Sequence, residues 1–188
     1  MKKFIGVLLV LLCLCGCNSK PEEVQYTYDI KSSSVDMSAY EGVSSTNHNF
    51  RLITPTEFFN AYDAKSSGIF YLGRDNCACC QKVCRYLSET AKEMNVTVYY
   101  IDVYNKEEPL TDPDLQDKLY EYMYPILGSD NGEKALLTPE VFSLINGKYG
   151  GSQICYDNYE LDYNPTNEQI EKFKDSYRKI FKPFVEDN

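Results

Sequence analysis

The sequence predicts an α/β domain with a central mixed β-sheet flanked by helices, preceded by an N-terminal tether. Three observations carry this. Between Phe50 and Val103, β-branched and aromatic runs alternate with a stretch of helical periodicity, giving strand, helix, strand and hence a parallel crossover. Thr54-Pro55-Thr56-Glu57 and Asp112-Pro113 each read as a capped helix start with proline in the first turn. Asn146-Gly147 lies between two strand-like runs, the signal of a type I′ hairpin, so the last two strands are antiparallel.

The chain has 188 residues, 43% of them hydrophobic and 14% aromatic, enough for one domain with a real core. Its formal net charge is −9, or −11 without the two lysines of the leader, which makes nucleic acid and anionic membrane surfaces poor partners. Of the eight cysteines, three fall in the leader, at 13, 15 and 17.

Met1-Lys2-Lys3 is a short positive segment, and Phe4 to Cys15 is an apolar run too short to span a membrane as a stable helix. This is the pattern of a signal peptide. Leu14-Cys15-Gly16-Cys17 resembles the lipobox of bacterial lipoproteins, which implies removal of residues 1–16 and a diacylglycerol on Cys17. An ordinary secretory leader and an uncleaved anchor are the alternatives. Each places the domain outside the cytoplasm, where disulfides persist. Residues 17–48 then read as a flexible tether, rich in Ser, Thr and Tyr, with Tyr26, Tyr28 and Tyr40 either docked or solvated and His48 solvated.

The domain is expected over residues 49–188. Phe50-Arg-Leu-Ile53 is a candidate edge strand. Thr54 then caps a helix with Phe58, Phe59 and Tyr62 on its buried side, and Glu57 at N3 is placed to close a capping box. Ile69 to Leu72 is a short buried strand, broken by Gly73 to Asn76. From Cys77 onward Val83, Tyr86, Leu87 and Ala91 recur at helical steps. Val96 to Val103 is a strand, and Asp114 to Tyr124 a helix carrying Leu115, Leu119, Tyr122 and Met123. Ser129 to Gly132 breaks that helix. The strands Glu140 to Ile145 and Lys148 to Ile154 form the hairpin. Asn167 to about Phe181 is the last helix, with Ile170, Phe173, Tyr177, Ile180 and Phe181 on one side.

Chemistry concentrates in Cys77-Ala78-Cys79-Cys80, where a strand ends and a helix begins. A thiol at a helix N-terminus faces unpaired N–H groups and the positive end of the macrodipole, which favour thiolate. Cys80 lies one turn away, within reach of a disulfide. Cys77, Cys80 and Cys84 are spaced by three and four residues and share a helix face, while Cys79 points elsewhere. Cys84 is then either a small buried apolar residue, a third redox partner for Cys80, or a bridge to Cys155. Cys155 is either paired or a free thiol on the solvent side. Cys79, off the shared face and adjacent to Cys80, is expected to stay unpaired. Arg74, Lys82 and Arg85 are either ordinary surface charge or local support for a Cys77 thiolate.

The element order, the Cys-x-x-Cys at a strand-to-helix junction and Thr138-Pro139 before the hairpin resemble the thioredoxin fold, over roughly Phe50 to Phe184. Phe70-Tyr-Leu-Gly-Arg74 ahead of the cysteines and Val98-Tyr-Tyr-Ile-Asp102 look like the bacteriocin-transport-accessory type of thioredoxin-like protein. The resemblance implies thiol–disulfide exchange without a cofactor. Cys77 would be the nucleophile, Cys80 the resolving thiol, and Thr138 with a cis Pro139 the substrate-side wall. Its partners would be protein thiols and disulfides, and a second protein that recycles the pair. Three features depart from the family: Asn76 replaces a common Trp, the dipeptide Ala78-Cys79 stands between the cysteines, and Tyr71 occupies the place of a buried acid. The competing readings are a non-catalytic binding module of a secretion or envelope system, and thiolate delivery of a soft metal such as copper or zinc. No metal is expected, because four sulfurs on one short helical stretch cannot converge on one ion.

Overall fold

In the computed structural model, residues 23–155 and 165–185 are described; the leader, with Cys13, Cys15 and Cys17, lies outside them. Five strands form the main sheet: β1 (Phe50–Ile53), β2 (Gly68–Gly73), β3 (Val98–Asp102), β6 (Glu140–Ile145) and β7 (Lys148–Ile154). They lie in the order β1-β3-β2-β6-β7. β3 pairs in parallel with both β1 and β2, whereas β6 runs antiparallel to β2 and to β7. The sheet is therefore mixed, as the crossover and the Asn-Gly turn required. With four flanking helices it is a thioredoxin-like fold.

Helices α1 (Pro55–Asp63) and α3 (Pro113–Met123) cover one face; α2 (Ala78–Glu93) and α4 (Asn167–Phe181) cover the other. Strand alternation divides the core accordingly. In β2, Ile69 and Tyr71 point to the α2/α4 side and Phe70 and Leu72 to the α1/α3 side, and all four are fully buried. A strand buried on both faces is the centre of the sheet, and the loop carrying Cys77 leaves from its end. Across the α2/α4 seam, Lys174 Nζ sits 2.8 Å from Glu89 and 2.9 Å from Glu93.

Four sequence expectations are corrected. Thr54 caps α1 by accepting from Glu57 N at 3.4 Å, but Glu57 does not complete a capping box. Its carboxylate accepts instead from Lys31 N at 2.9 Å and the Tyr28 hydroxyl at 3.0 Å. The break at 129–132 is a second hairpin, β4 (Gly128–Asp130) with β5 (Glu133–Ala135). Asn131 and Gly132 hold the positive φ values of a type I′ turn, 50° and 87°, as Asn146 and Gly147 do at 54° and 75°.

The span assigned to the tether is in part core. Met37 is fully buried, with Tyr40, Val43 and Ile30 close to it in burial. Gln81 on α2 holds this segment down, donating to Ala39 O at 2.8 Å and accepting from Glu41 N at 2.9 Å. His48 is likewise not a solvated residue. Its Nδ1 accepts from Phe50 N at 3.1 Å, which leaves the proton on Nε2, facing Val35 O at 3.1 Å and Ser45 O at 3.2 Å.

Candidate functional site

Cys77 is the N-cap of α2, with extended backbone angles of −92° and 120°. No Ser, Thr, Asp or Asn takes the cap; a sulfur does. Cys77 Sγ accepts from Cys80 N at 3.2 Å. On the other side it meets the loop before β6, 3.5 Å from Thr138 O and 3.7 Å from Thr138 Oγ1. As a thiol it donates to the carbonyl; as a thiolate it accepts from the hydroxyl. The Thr138–Pro139 peptide bond is cis, as the resemblance implied. The fold thus brings together all four residues expected at the site: Cys77, Cys80, Thr138 and Pro139.

The two cysteines hold their protons unequally. A hydrogen bond from the Cys80 thiol, followed by the Cys80 and Cys79 N–H groups and the Thr138 hydroxyl, brings Cys77 down to about 5 against the opposing effect of burial. The same bond, together with burial, pushes Cys80 well above the ordinary thiol range. Cys77 is partly exposed and Cys80 is fully buried. The outer sulfur is therefore a thiolate near neutral pH, and the inner one keeps the proton.

Beneath Cys80 the molecule places phenols. Tyr71 is fully buried, and its hydroxyl makes no well-formed hydrogen bond, lying against the sulfurs of Cys80 and Cys84. Its ring stacks on Tyr100 with centroids 5.3 Å apart and meets Tyr40 edge-on at 6.3 Å. The Tyr40 and Tyr100 hydroxyls are hydrogen-bonded at 2.8 Å. Gly73 makes room for this layer, because a Cβ there would run into the Tyr71 ring. Burial raises the pKa of all three phenols above the ordinary range. The sequence left Tyr40 either docked or solvated, since nothing local to residue 40 signals its contact with Tyr100, sixty residues away. Tyr100 had a signal: it shares the α2/α4 side with Val98 by strand alternation.

Around the rim, Arg74 Nη1 donates to the Tyr104 hydroxyl at 3.2 Å, beside the cysteine loop. Arg85 is turned to Tyr86, with its guanidinium 4.5 Å over that ring and bonded to its hydroxyl, and is not a support for Cys77. A recess of about 150 Å³, lined in part by Leu72, Arg74, Leu119 and Thr138, adjoins the Thr138 wall.

The remaining thiols separate. Cys84 is fully buried with Tyr71 in the main core, its pKa raised by burial. Cys155 is not on the solvent side. It is buried with Cys79 and Val83 in a small cluster against which Cys77 and Phe173 pack. The sequence had offered Cys84 as its neighbour; the end of β7 reaches the first turn of α2 instead. Among the described residues, no three His, Cys, Asp or Glu side chains are grouped to hold a metal ion. Sequence reading also missed Glu140, directly after Pro139, which is fully buried with neither carboxylate oxygen hydrogen-bonded. Desolvation pushes it up to about 8, against a weaker downward effect of Lys134.

No protein-family model matches the chain, and no curated protein matches it. Solved structures similar to it include thioredoxin O2 from Arabidopsis thaliana in the oxidized state, 15% identical, with a TM-score of 0.39 over 59% of this chain and 86% of that one. Thioredoxin O1 from the same plant, also oxidized, is 13% identical with a TM-score of 0.39, over 69% of this chain and 98% of that one. Likeness of this size says nothing about activity. The thioredoxin-like assignment stands on the strand order and the helices on both faces of the sheet.

Proposed function

We propose that this chain is an extracytoplasmic thiol–disulfide oxidoreductase, tethered to a bacterial cell membrane by a lipid on Cys17 and working through Cys77 and Cys80. The observation that carries the redox reading is the Cys77 sulfur itself. It caps a helix, receives a hydrogen bond from Cys80 N at 3.2 Å, and lies at the open end of the pair against Thr138. In the reducing direction, the Cys77 thiolate attacks one sulfur of a substrate disulfide, and the other sulfur leaves as a thiolate. Cys80 then gives up its proton and attacks Cys77 Sγ. A Cys77–Cys80 disulfide forms and the second substrate thiol is released, so two electrons pass to the substrate. The reverse sequence oxidises a dithiol. The redox potential of the pair sets the direction.

Membrane attachment rests on the lipobox-like Leu14-Cys15-Gly16-Cys17, and a role as an envelope accessory protein rests on the resemblance at Phe70–Arg74 and Val98–Asp102. Partners on this reading are protein thiols and disulfides and a recycling protein. The test is insulin reduction, and oxidation of a dithiol peptide, by residues 18–188. Turnover that Cys77→Ser abolishes supports the reading. A wild-type protein inert in both assays favours the non-catalytic module.

A further inference from the structure

The exchange mechanism uses two of the five cysteines among the described residues, and Cys84 is absorbed into the core under Tyr71. Cys79 and Cys155 remain. They are 76 positions apart in sequence, yet each is almost wholly buried, at 4% and 3% exposure, and they share one cluster with Val83. Their side chains pack in that same cluster, and burial, with the neighbouring Cys79 thiol adding to it, raises the Cys155 thiol above its ordinary range. Cys79 is the second residue of α2; Cys155 is the first residue after β7. Helix α4 packs on both elements. These are two rigid elements, each presenting a sulfur to the other in a pocket with little water.

We propose that Cys79 and Cys155 close a second disulfide, separate from the Cys77–Cys80 pair, that clips the first turn of the redox helix to the end of β7. Two thiols lose two electrons and two protons to an external disulfide, protein or low-molecular-weight, which becomes two thiols. The bond closes a long loop, the case in which a cross-link most restricts the unfolded chain. It has a chemical consequence as well. A free thiol at position 79, next to the resolving Cys80, is a competitor for every mixed disulfide formed on Cys77. Tied to Cys155 it cannot compete, and the exchange pair is left with one resolving thiol. Being buried at both sulfurs, the second bridge is attacked by reductants less readily than the Cys77–Cys80 pair, in which Cys77 is partly exposed.

The test uses the full chain carrying Cys77→Ser and Cys80→Ser, so that it is independent of the exchange activity proposed above. The protein is equilibrated with oxidised glutathione, quenched in acid, alkylated in denaturant and digested with trypsin. The expected product joins peptide 75–82 to peptide 149–172 and is two hydrogens lighter than their sum; reduction removes it. Cys84 is alkylated, and the leader cysteines fall on a separate peptide. In the wild-type chain, opening the Cys79–Cys155 bridge is expected to need about ten times more dithiothreitol than opening Cys77–Cys80. That measurement stands if the double variant does not fold. Cys79 and Cys155 both recovered as separate alkylated or glutathionylated residues would overturn the proposal, as would a Cys84–Cys155 link. A bridge present in a wild-type protein inert in both the insulin and the dithiol-peptide assays would sink the oxidoreductase reading and leave this one intact.

Discussion

Cys77 and Cys80 are three residues apart and differ mainly in what surrounds them: one is a partly exposed cap facing N–H groups, the other is sealed over Tyr71. That difference gives the nucleophile its order. Alkylation of the reduced protein by iodoacetamide at mildly acidic pH is expected to label Cys77 before Cys79, Cys80 or Cys84, with a pH midpoint near the value of about 5 that its donors impose. A first adduct on Cys84 would refute the order. Glu140 is the second residue-scale case. Its carboxyl is held protonated by burial up to about pH 8, well above the ordinary value of 4.5. The native state therefore keeps a proton that the unfolded chain has lost, so its stabilising contribution is full below pH 4.5 and disappears as pH rises through 8. The slope is up to about 1.4 kcal/mol per pH unit for one proton. Glu140→Gln, which is neutral throughout, is expected to flatten the melting temperature between pH 5 and 8 and to raise it at pH 8. An unchanged pH profile would remove Glu140 from this account.

At the scale of elements, the segment from Ile30 to Val43 decides how α2, which carries the cysteines, is backed. It carries Met37 and Tyr40 into the same core as Cys80, Cys84 and Leu87, and Tyr40 completes the phenol layer through Tyr100. Met37→Ala is expected to cost about 2–5 kcal/mol, as for a buried core methionine, measured by denaturant unfolding. A loss under about 0.5 kcal/mol, as at a surface site, would show the segment to be loosely attached. This segment was illegible in the sequence because it has no periodicity of its own. It forms neither helix nor long strand and is ordered entirely by distant surfaces, with Ser33 bridging to Leu52 as its one sheet contact. Regular elements were legible where local chemistry fixed them. The helices after Thr54 and Asp112 begin there because these side chains satisfy the first free N–H groups. The β4–β5 hairpin carried the same Asn-Gly signal as β6–β7 but was missed because its strands are three residues long and mostly exposed. At the site, the Cys77–Cys80 pair and the Thr138-Pro139 wall could be read from spacing and resemblance. The approach of Cys155 to Cys79 could not, because it depends on where the end of a strand lands on a helix.

For the whole molecule, the arrangement is an acidic domain whose cysteine-bearing helix α2 follows the end of the central strand and whose N-terminal segment returns across the back of that helix. Among the described residues no helix is long and apolar enough to cross a membrane, so attachment in this account rests on the leader. Cys17→Ala is expected to move the protein from the membrane to the soluble fraction, or to block processing, while the variant's circular-dichroism melt matches that of residues 18–188. Unchanged partition and processing would reject the lipid anchor. The central claim is that Cys77 attacks and Cys80 resolves, and trapping tests it most directly. A Cys80→Ser variant lacks the resolving thiol, so incubation with a disulfide-bonded protein such as insulin should stall at a covalent mixed disulfide. Mass spectrometry of that adduct is expected to place the bond on Cys77 and to find almost none in Cys77→Ser. An adduct on Cys79, Cys84 or Cys155, or no adduct with a substrate that the wild type reduces, would contradict it.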